Sequence, residues 1–173
     1  DGRVNPVDAS MALAKGARMQ GATIVECVSV DRVTDDGSKV TGVVTSCGQT
    51  IKAEVVVNCG GMWAPQLAAK SRIALPNQAA EHYYLITEAM PGLVDPRWPV
   101  LEDPSSFAYI RPEGGGLMVG LFEGQGKAWN VPRVPKDFSF GEIEPDWDRL
   151  APYLERAMAR VPKTLEVGAK KFF

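Results

Sequence analysis

The hydrophobic pattern changes period several times along the chain. From Val7 to Gln20 apolar residues recur at helical spacing, and Ala9, Ala12, Leu13, Gly16 and Ala17 form a small-residue face suited to close packing on a sheet or helix. Asn5 reads as the N-cap, Pro6 as the first helical residue and Gly21 as the stop. The period then drops to two. Ala22 to Val33, Lys39 to Ser46 and Thr50 to Val57 read as strands separated by Asp35-Asp36-Gly37 and Cys47-Gly48-Gln49 turns. The third strand alternates at first and then becomes wholly apolar at Val55-Val56-Val57, which predicts a strand passing from an exposed meander into a sheet buried on both faces.

Beyond Asn58 the chain turns through Cys59-Gly60-Gly61 into a short helix ending near Lys70. After Pro76, strands are expected at Ala79 to Thr87, Phe107 to Arg111 and Gly116 to Glu123, with proline-rich loops between them. Asp146 to Val161 carries Trp147, Leu150, Leu154, Ala157 or Met158, and Val161 at helical spacing and is the clearest helix. The pattern predicts a mixed α/β (α+β) fold: a β-meander region followed by an antiparallel sheet.

Composition narrows the function classes. Hydrophobic residues make up 45% and charged residues 23% of 173 residues, with a net charge of -2. No basic footprint for nucleic acid or an anionic membrane surface is present. The longest aliphatic run, Val55 to Val57, is far short of the ~20 residues a membrane span needs. Three cysteines, Cys27, Cys47 and Cys59, are odd in number and lack C-x-x-C spacing, so they read as buried or inert thiols in a reducing compartment. That compartment is expected to be cytoplasmic, or the mitochondrial matrix in a eukaryote. A start without methionine and an end on Phe172-Phe173 read as the ends of an internal segment.

Two stretches are candidates for chemistry. Val55 to Trp63 runs a buried strand into two glycines, where backbone can approach a ligand at a sheet's carboxyl edge; a plain strand-to-helix turn accounts for the same residues. His82, the only histidine, shares a strand face with Tyr84 and Ile86, and from the residues alone reads as a hydrogen-bonded, half-buried histidine. Tyr109 and Arg111 share a face 27 residues further on, as core or cross-strand partners, and the planar fork of Arg111 suits a carboxylate.

The ordered set Asp1-Gly2-Arg3-Val4-Asn5-Pro6, Gly21 to Ile24, Val28 to Val33 and Val55 to Trp63 resembles the middle of the D-amino-acid-oxidase-type flavoenzymes. Glu81 to Thr87, Tyr109-Ile110-Arg111, Gly115 to Glu123, Asp146-Trp147-Asp148 and Arg160-Val161-Pro162 narrow the resemblance to the dimethylglycine and sarcosine dehydrogenases and to the related regulatory subunit of pyruvate dehydrogenase phosphatase. The resemblance runs through nearly the whole chain. It implies a partial FAD-binding domain over 1–75 and a substrate-binding domain over 76–173.

By this resemblance the cofactor is FAD, with Val30, Cys59, Gly60 and Gly61 on its adenosine side and Trp63 as a packing residue. The G-x-G-x-x-G loop that holds the flavin pyrophosphate in those families does not occur in this sequence. The adenosine-side residues alone are not expected to retain FAD, given the cost of ordering a large dinucleotide. His82 falls at the substrate pocket and Tyr109 near the flavin, both as catalytic residues, and no metal is implied; Tyr84 on the His82 face and Arg111 on the Tyr109 face are the candidate substrate-binding residues. His82 does not match the histidine that carries covalent flavin in some relatives. The implied reaction is hydride transfer from an N-methylated glycine-type amine to flavin. His82 would favour the neutral amine, and the Tyr109 hydroxyl would orient substrate or flavin. Implied partners are a small-molecule amine and an electron-transfer flavoprotein, with tetrahydrofolate where a carboxyl-terminal folate domain exists. Two other readings fit: a non-catalytic regulatory subunit, and an oxidase of the same superfamily acting on another amino acid.

Overall fold

The computed structural model describes residues 2–173, which divide into two units. One unit comprises Asn5–Ala79 and Trp129–Ser139. It opens with α1 (Pro6–Met19), capped by the Asn5 side chain, which accepts from the amides of Val7 and Asp8 at 2.9 and 3.2 Å. A three-stranded antiparallel meander follows, β1 (Val30–Asp35), β2 (Val40–Thr45) and β3 (Thr50–Lys52). The Asp36 side chain accepts from Ser38 and Lys39 amides in the first turn, and Thr45 brackets Gln49 in the second. Helix α2 (Ala64–Lys70) completes the unit and packs on β1.

Several expectations for this unit are corrected. The strand expected over 22–33 begins only at Val30 and extends to Asp35, because residues 22–29 find no ladder partner. The strand expected over 50–57 ends at Lys52. Val55 and Val57 are each 77% exposed, so β-branched composition alone does not bury a segment that pairs with nothing among the described residues. None of the residues on the small-residue face of α1 is buried. All three cysteines are exposed, since they lie in turns and unpaired extended segments and not in a core. The Cys47 sulfur lies 3.1 Å from Thr45 Oγ1, and this hydrogen bond holds its thiol below the ordinary range.

The other unit takes the amino-terminal residues through Val4, Ala80–Ala128 and Phe140–Phe173. A short pair, β4 (Ala80–Glu81) with β9 (Lys127–Ala128), stands beside a five-stranded antiparallel sheet. The sheet contains β5 (Tyr84–Thr87), β6 (Leu101–Asp103), β7 (Ala108–Glu113), β8 (Gly116–Leu121) and β10 (Ala169–Phe172), in the order β10-β5-β8-β7-β6. The strand expected over 79–87 is split at His82-Tyr83, those over 107–111 and 116–123 shift to 108–113 and 116–121, and β6, β9 and β10 were not signalled by alternation.

Register fixes the two faces of this sheet. Val119 stands opposite both Leu85 and Ile110, and Leu121 opposite Ala108. These residues form one buried face with Leu117 and Tyr83. Helix α3 (Trp147–Arg160) lays Leu150, Leu154 and Ala157 on it, with Asp146 as N-cap accepting from the Arg149 amide. The expected stripe is therefore right from Leu150 onward, whereas Trp147 stays half-exposed beside Phe172.

Two outcomes follow from this packing. Leu150 is 0% exposed at the centre of the sheet–helix core. Leu150→Ala should lower stability by about 2–5 kcal/mol in urea denaturation, the range for a large core truncation. The exposed apolar residues of α1 and of Val55 to Val57 should drive concentration-dependent self-association of the chain, read by light scattering. A clean monomer at high concentration with little binding of an apolar dye is the contrary result.

Candidate active site

The face of the five-stranded sheet turned away from α3 carries the candidate site. Alternation along each strand sends Tyr84 and Ile86 of β5, Met118 and Gly120 of β8, and Tyr109 and Arg111 of β7 to this side. Gly120 is paired with Tyr84 on one flank and Tyr109 on the other. The phenol ring of Tyr109 lies across the space where a side chain at 120 would stand, and a Cβ there would overlap ring carbons and the hydroxyl. A glycine inside an otherwise apolar strand thus makes room for an aromatic ring flat on the sheet. Tyr84 stacks on Phe173 at 4.8 Å, which fixes the opposite border.

His82 lies beyond the end of β5, outside the ladder, with its side chain 45% exposed. Its ring stacks on Phe122 at 5.9 Å and 25°, and Tyr109 meets the same phenyl ring at 5.1 Å. The structure therefore brings His82 and Tyr109 to one aromatic partner, and Tyr84 to the far side of Gly120. Burial, opposed by the charge of Arg111 and reinforced by Tyr84, raises the Tyr109 phenol above its ordinary range. Arg111 is engaged by Glu113, two residues along the same face, through Nη1. Its Nε and Nη2 have no hydrogen-bond partner among the described residues, which leaves one edge of the guanidinium for an anion.

Behind His82 is an ionic cluster that strand patterns do not signal. Glu123 has a side chain only 4% exposed, with carboxylate oxygens 3.7 Å from His82 Nδ1 and 3.5 Å from Arg149 Nη2. Arg149 also lies 3.7 Å from Glu81 and sits over the Tyr83 ring at 5.3 Å. Lys127 bridges Glu81 and Asp146 at 3.1 Å each, and these contacts raise its ammonium above the ordinary range. Sequence reasoning missed Phe122, Glu123, Gly120 and Arg149. Gly120 in an apolar strand was a usable signal; Arg149, far from Glu81 and Glu123 in sequence, gave none.

Val30, Cys59, Gly60 and Gly61 lie in the other unit. Asn58 shapes their turn by accepting from the Gly60 amide at 3.1 Å and donating to the Ala64 carbonyl at 3.1 Å. Gly61 has φ +53°, and no atom lies within 4 Å of where its Cβ would be, whereas a Cβ on Gly60 would meet Asn58 Oδ1 at 3.0 Å and the Ala64 backbone at 3.2 Å, so Gly60 is needed for the tight turn and Gly61 is the open position. Val30, at the start of β1, is exposed. The open side of Gly61 and the exposed Cys59 and Val30 leave room for the adenosine side of FAD, while the sequence supplies no glycine-rich loop for its pyrophosphate. Trp63 donates Nε1–H to the Pro135 carbonyl at 2.7 Å. Among the described residues no group of acidic, histidine and cysteine side chains is placed to hold a metal, and no helix is long and apolar enough to cross a membrane.

The pattern of the FAD dependent oxidoreductase (DAO) family matches residues 1–171. The chain is 37% identical over 172 residues to 4-methylaminobutanoate oxidase (formaldehyde-forming) of Paenarthrobacter nicotinovorans, spanning 99% of this chain and 20% of that protein. It is 32% identical over 175 residues to human mitochondrial sarcosine dehydrogenase, spanning 98% of this chain and 18% of that one. The chain thus spans about a fifth of the length of these relatives. Among solved structures, L-proline dehydrogenase from P. horikoshii has the same fold, with a TM-score of 0.74 at 22% identity over 99% of this chain and 43% of that one. With its antiparallel sheet, its α3 packing and this match over nearly its whole length, the chain belongs to the DAO family of FAD-dependent oxidoreductases.

Proposed function

We propose that this chain is the substrate-side segment of an FAD-dependent amine oxidoreductase whose substrate is a small N-methylated amino acid. The observation that carries the reading is the polar, aromatic sheet face opposite α3, with Tyr84 and Tyr109 flanking Gly120 and His82 sharing the Phe122 ring with Tyr109. Relatives whose names refer to sarcosine and 4-methylaminobutanoate, both N-methylated amino acids, support the substrate class. An amino-acid oxidase acting on another amine is the coarser form of the same reading.

Val30 and the Cys59–Gly61 backbone would hold the adenosine side of FAD, which when bound supplies the two-electron acceptor. The protein groups do the rest. An N-methylated amino acid arrives as an ammonium, which cannot give up a hydride until nitrogen has a free electron pair. A neutral imidazole at His82 takes that proton on a ring nitrogen. The Tyr109 phenol donates a hydrogen bond that orients the substrate or the cofactor. The free edge of Arg111 offers a positive fork to the substrate carboxylate, with Glu113 holding the other edge in place. Tyr84 and Phe173 supply an apolar wall against which an N-methyl group packs. Electron-transfer flavoprotein as acceptor and tetrahydrofolate as carrier of the released carbon belong to this proposal.

In the full-length protein, N-methylated amino acids should bleach the flavin under anaerobic conditions. His82→Ala should slow that reduction by roughly 10²-fold, the usual cost of losing one positioned acid–base group. Stability should change little, because the His82 side chain is nearly half exposed and contributes little packing. Stopped-flow absorbance distinguishes the readings: no amine-dependent bleaching in the wild type favours a regulatory protein on the same scaffold.

A further inference from the structure

The carboxylate of Glu123 is expensive where it stands. Its side chain is 4% exposed, and Oε1 is buried without a hydrogen-bond partner. Burying an ion in this way costs several kcal/mol unless well-placed partners offset it, and an apolar residue of similar size would serve packing alone as well or better. Its neighbours explain half of the arrangement. Arg149 approaches Oε1 at 3.5 Å, and the Arg149 side chain is itself only 18% exposed, resting on the buried Tyr83 ring.

Three carboxylates surround this guanidinium, and they are not equivalent. Glu81 accepts from the Tyr83 hydroxyl at 3.0 Å and pairs with Lys127 at 3.1 Å. Asp146 caps α3 and also pairs with Lys127. Among the described residues Glu123, unlike the other two, has no second Lys or Arg and no donor from backbone or hydroxyl; its remaining oxygen, Oε2, faces His82 Nδ1 at 3.7 Å. That separation is a charge contact just beyond hydrogen-bond length, and catalytic hydrogen bonds in ligand-free sites are often long and tighten when substrate closes the site. Phe122 stacks on one side of the His82 ring at 5.9 Å.

We propose that Glu123, set in place by Arg149, is a positioning residue for His82: its carboxylate accepts the Nδ1–H, which leaves the lone pair on Nε2. The inference rests on the reading of His82 as the acid–base group. When the substrate ammonium loses its proton, a substrate N–H bond breaks and an Nε2–H bond forms. The Nδ1–H stays where it was, and the imidazolium charge lies against the Glu123 carboxylate. Arg149, 3.5 Å from Oε1, orients the carboxylate without touching the substrate. The cluster therefore selects one of two tautomers of neutral imidazole, and only that tautomer turns a base toward the amine.

His82 is the only histidine in the sequence, so its ring nitrogens give one unambiguous set of signals. Long-range proton–nitrogen NMR on the ¹⁵N-labelled chain, at alkaline pH where imidazoles are neutral, should find mainly the Nδ1–H form. In Glu123→Leu/Arg149→Leu, which removes both buried charges together, the Nε2–H form preferred by free imidazole should take over. A wild-type ring that is mainly Nε2–H overturns the proposal without any variant having to fold, and so does a tautomer unchanged in the double variant. In the full-length protein, the double variant should slow amine-dependent flavin reduction by roughly 10–100-fold. It should cost nothing further when combined with His82→Ala, and additive losses contradict the positioning role. If wild-type flavin is not reduced by amines, the amine-oxidation reading fails by itself, and the tautomer still decides the Glu123–His82 contact.

Discussion

The five-stranded sheet has only one face to give to its core, and α3 takes it. Leu150, Leu154 and Ala157 share one core with Leu85, Ile110, Val119 and Leu121, which stand on one face of β5, β7 and β8. The residues between them are displayed together on the other side by the period of two. What appears there is unusual for a sheet surface: two tyrosines across a glycine, an arginine, and a histidine just beyond the strand end. The Tyr109 ring lies flat only because position 120 has no side chain. The candidate site is thus a consequence of how the hydrophobic core is built, and its aromatic floor depends on one missing Cβ.

The same packing explains why an ionic cluster is tolerated at the sheet's end. Arg149 precedes Leu150 on α3, so seating the helix draws its guanidinium down beside Tyr83, Glu81 and Glu123. Lys127, carried in by the short β4–β9 pair, balances Glu81 and Asp146. Helix, short strand pair and sheet therefore meet at charges as well as at apolar surface. His82, proposed as the acid–base group, stands at the rim of this cluster, with Phe122 on its face and Glu123 at its edge. Stability and proposed chemistry draw on neighbouring residues of one element, with Leu150 serving the core and Arg149 the site.

Much of this was legible in the sequence, and the failures have physical causes. The Asn5 cap with Pro6, the Asp36 and Thr45 turns, and the Leu150 to Ala157 stripe are local signals, and local geometry decides them. The shared faces of Tyr84, Tyr109 and Arg111 followed from alternation. Val55 to Val57 misled because strand propensity describes side chains, whereas a strand needs a hydrogen-bonded neighbour. The cysteines misled because burial of thiols is a tendency of cores, and these three lie in turns and extended segments. Glu123 and Arg149 were invisible because their relation is made by tertiary packing between a strand end and a helix start, with no fixed spacing along the chain. The resemblance to known flavoenzymes carried the family and, with it, FAD as the family's cofactor, which periodicity alone does not supply.

The account stands or falls on the sheet face opposite α3 being the surface on which substrate sits, and position 120 tests it from inside the sheet. Gly120→Ala places a methyl group in the space of the Tyr109 ring, whose far end can swing away, so the fold should survive with a thermal midpoint within a few degrees of wild type. The measurement is the limiting rate of amine-dependent flavin reduction in the full-length Gly120→Ala protein. Displacing the ring should lower it by roughly 10²-fold, the scale expected when a positioning group moves by about an ångström. A stable Gly120→Ala protein that reduces its flavin at the wild-type rate would contradict the assignment of this face as the site.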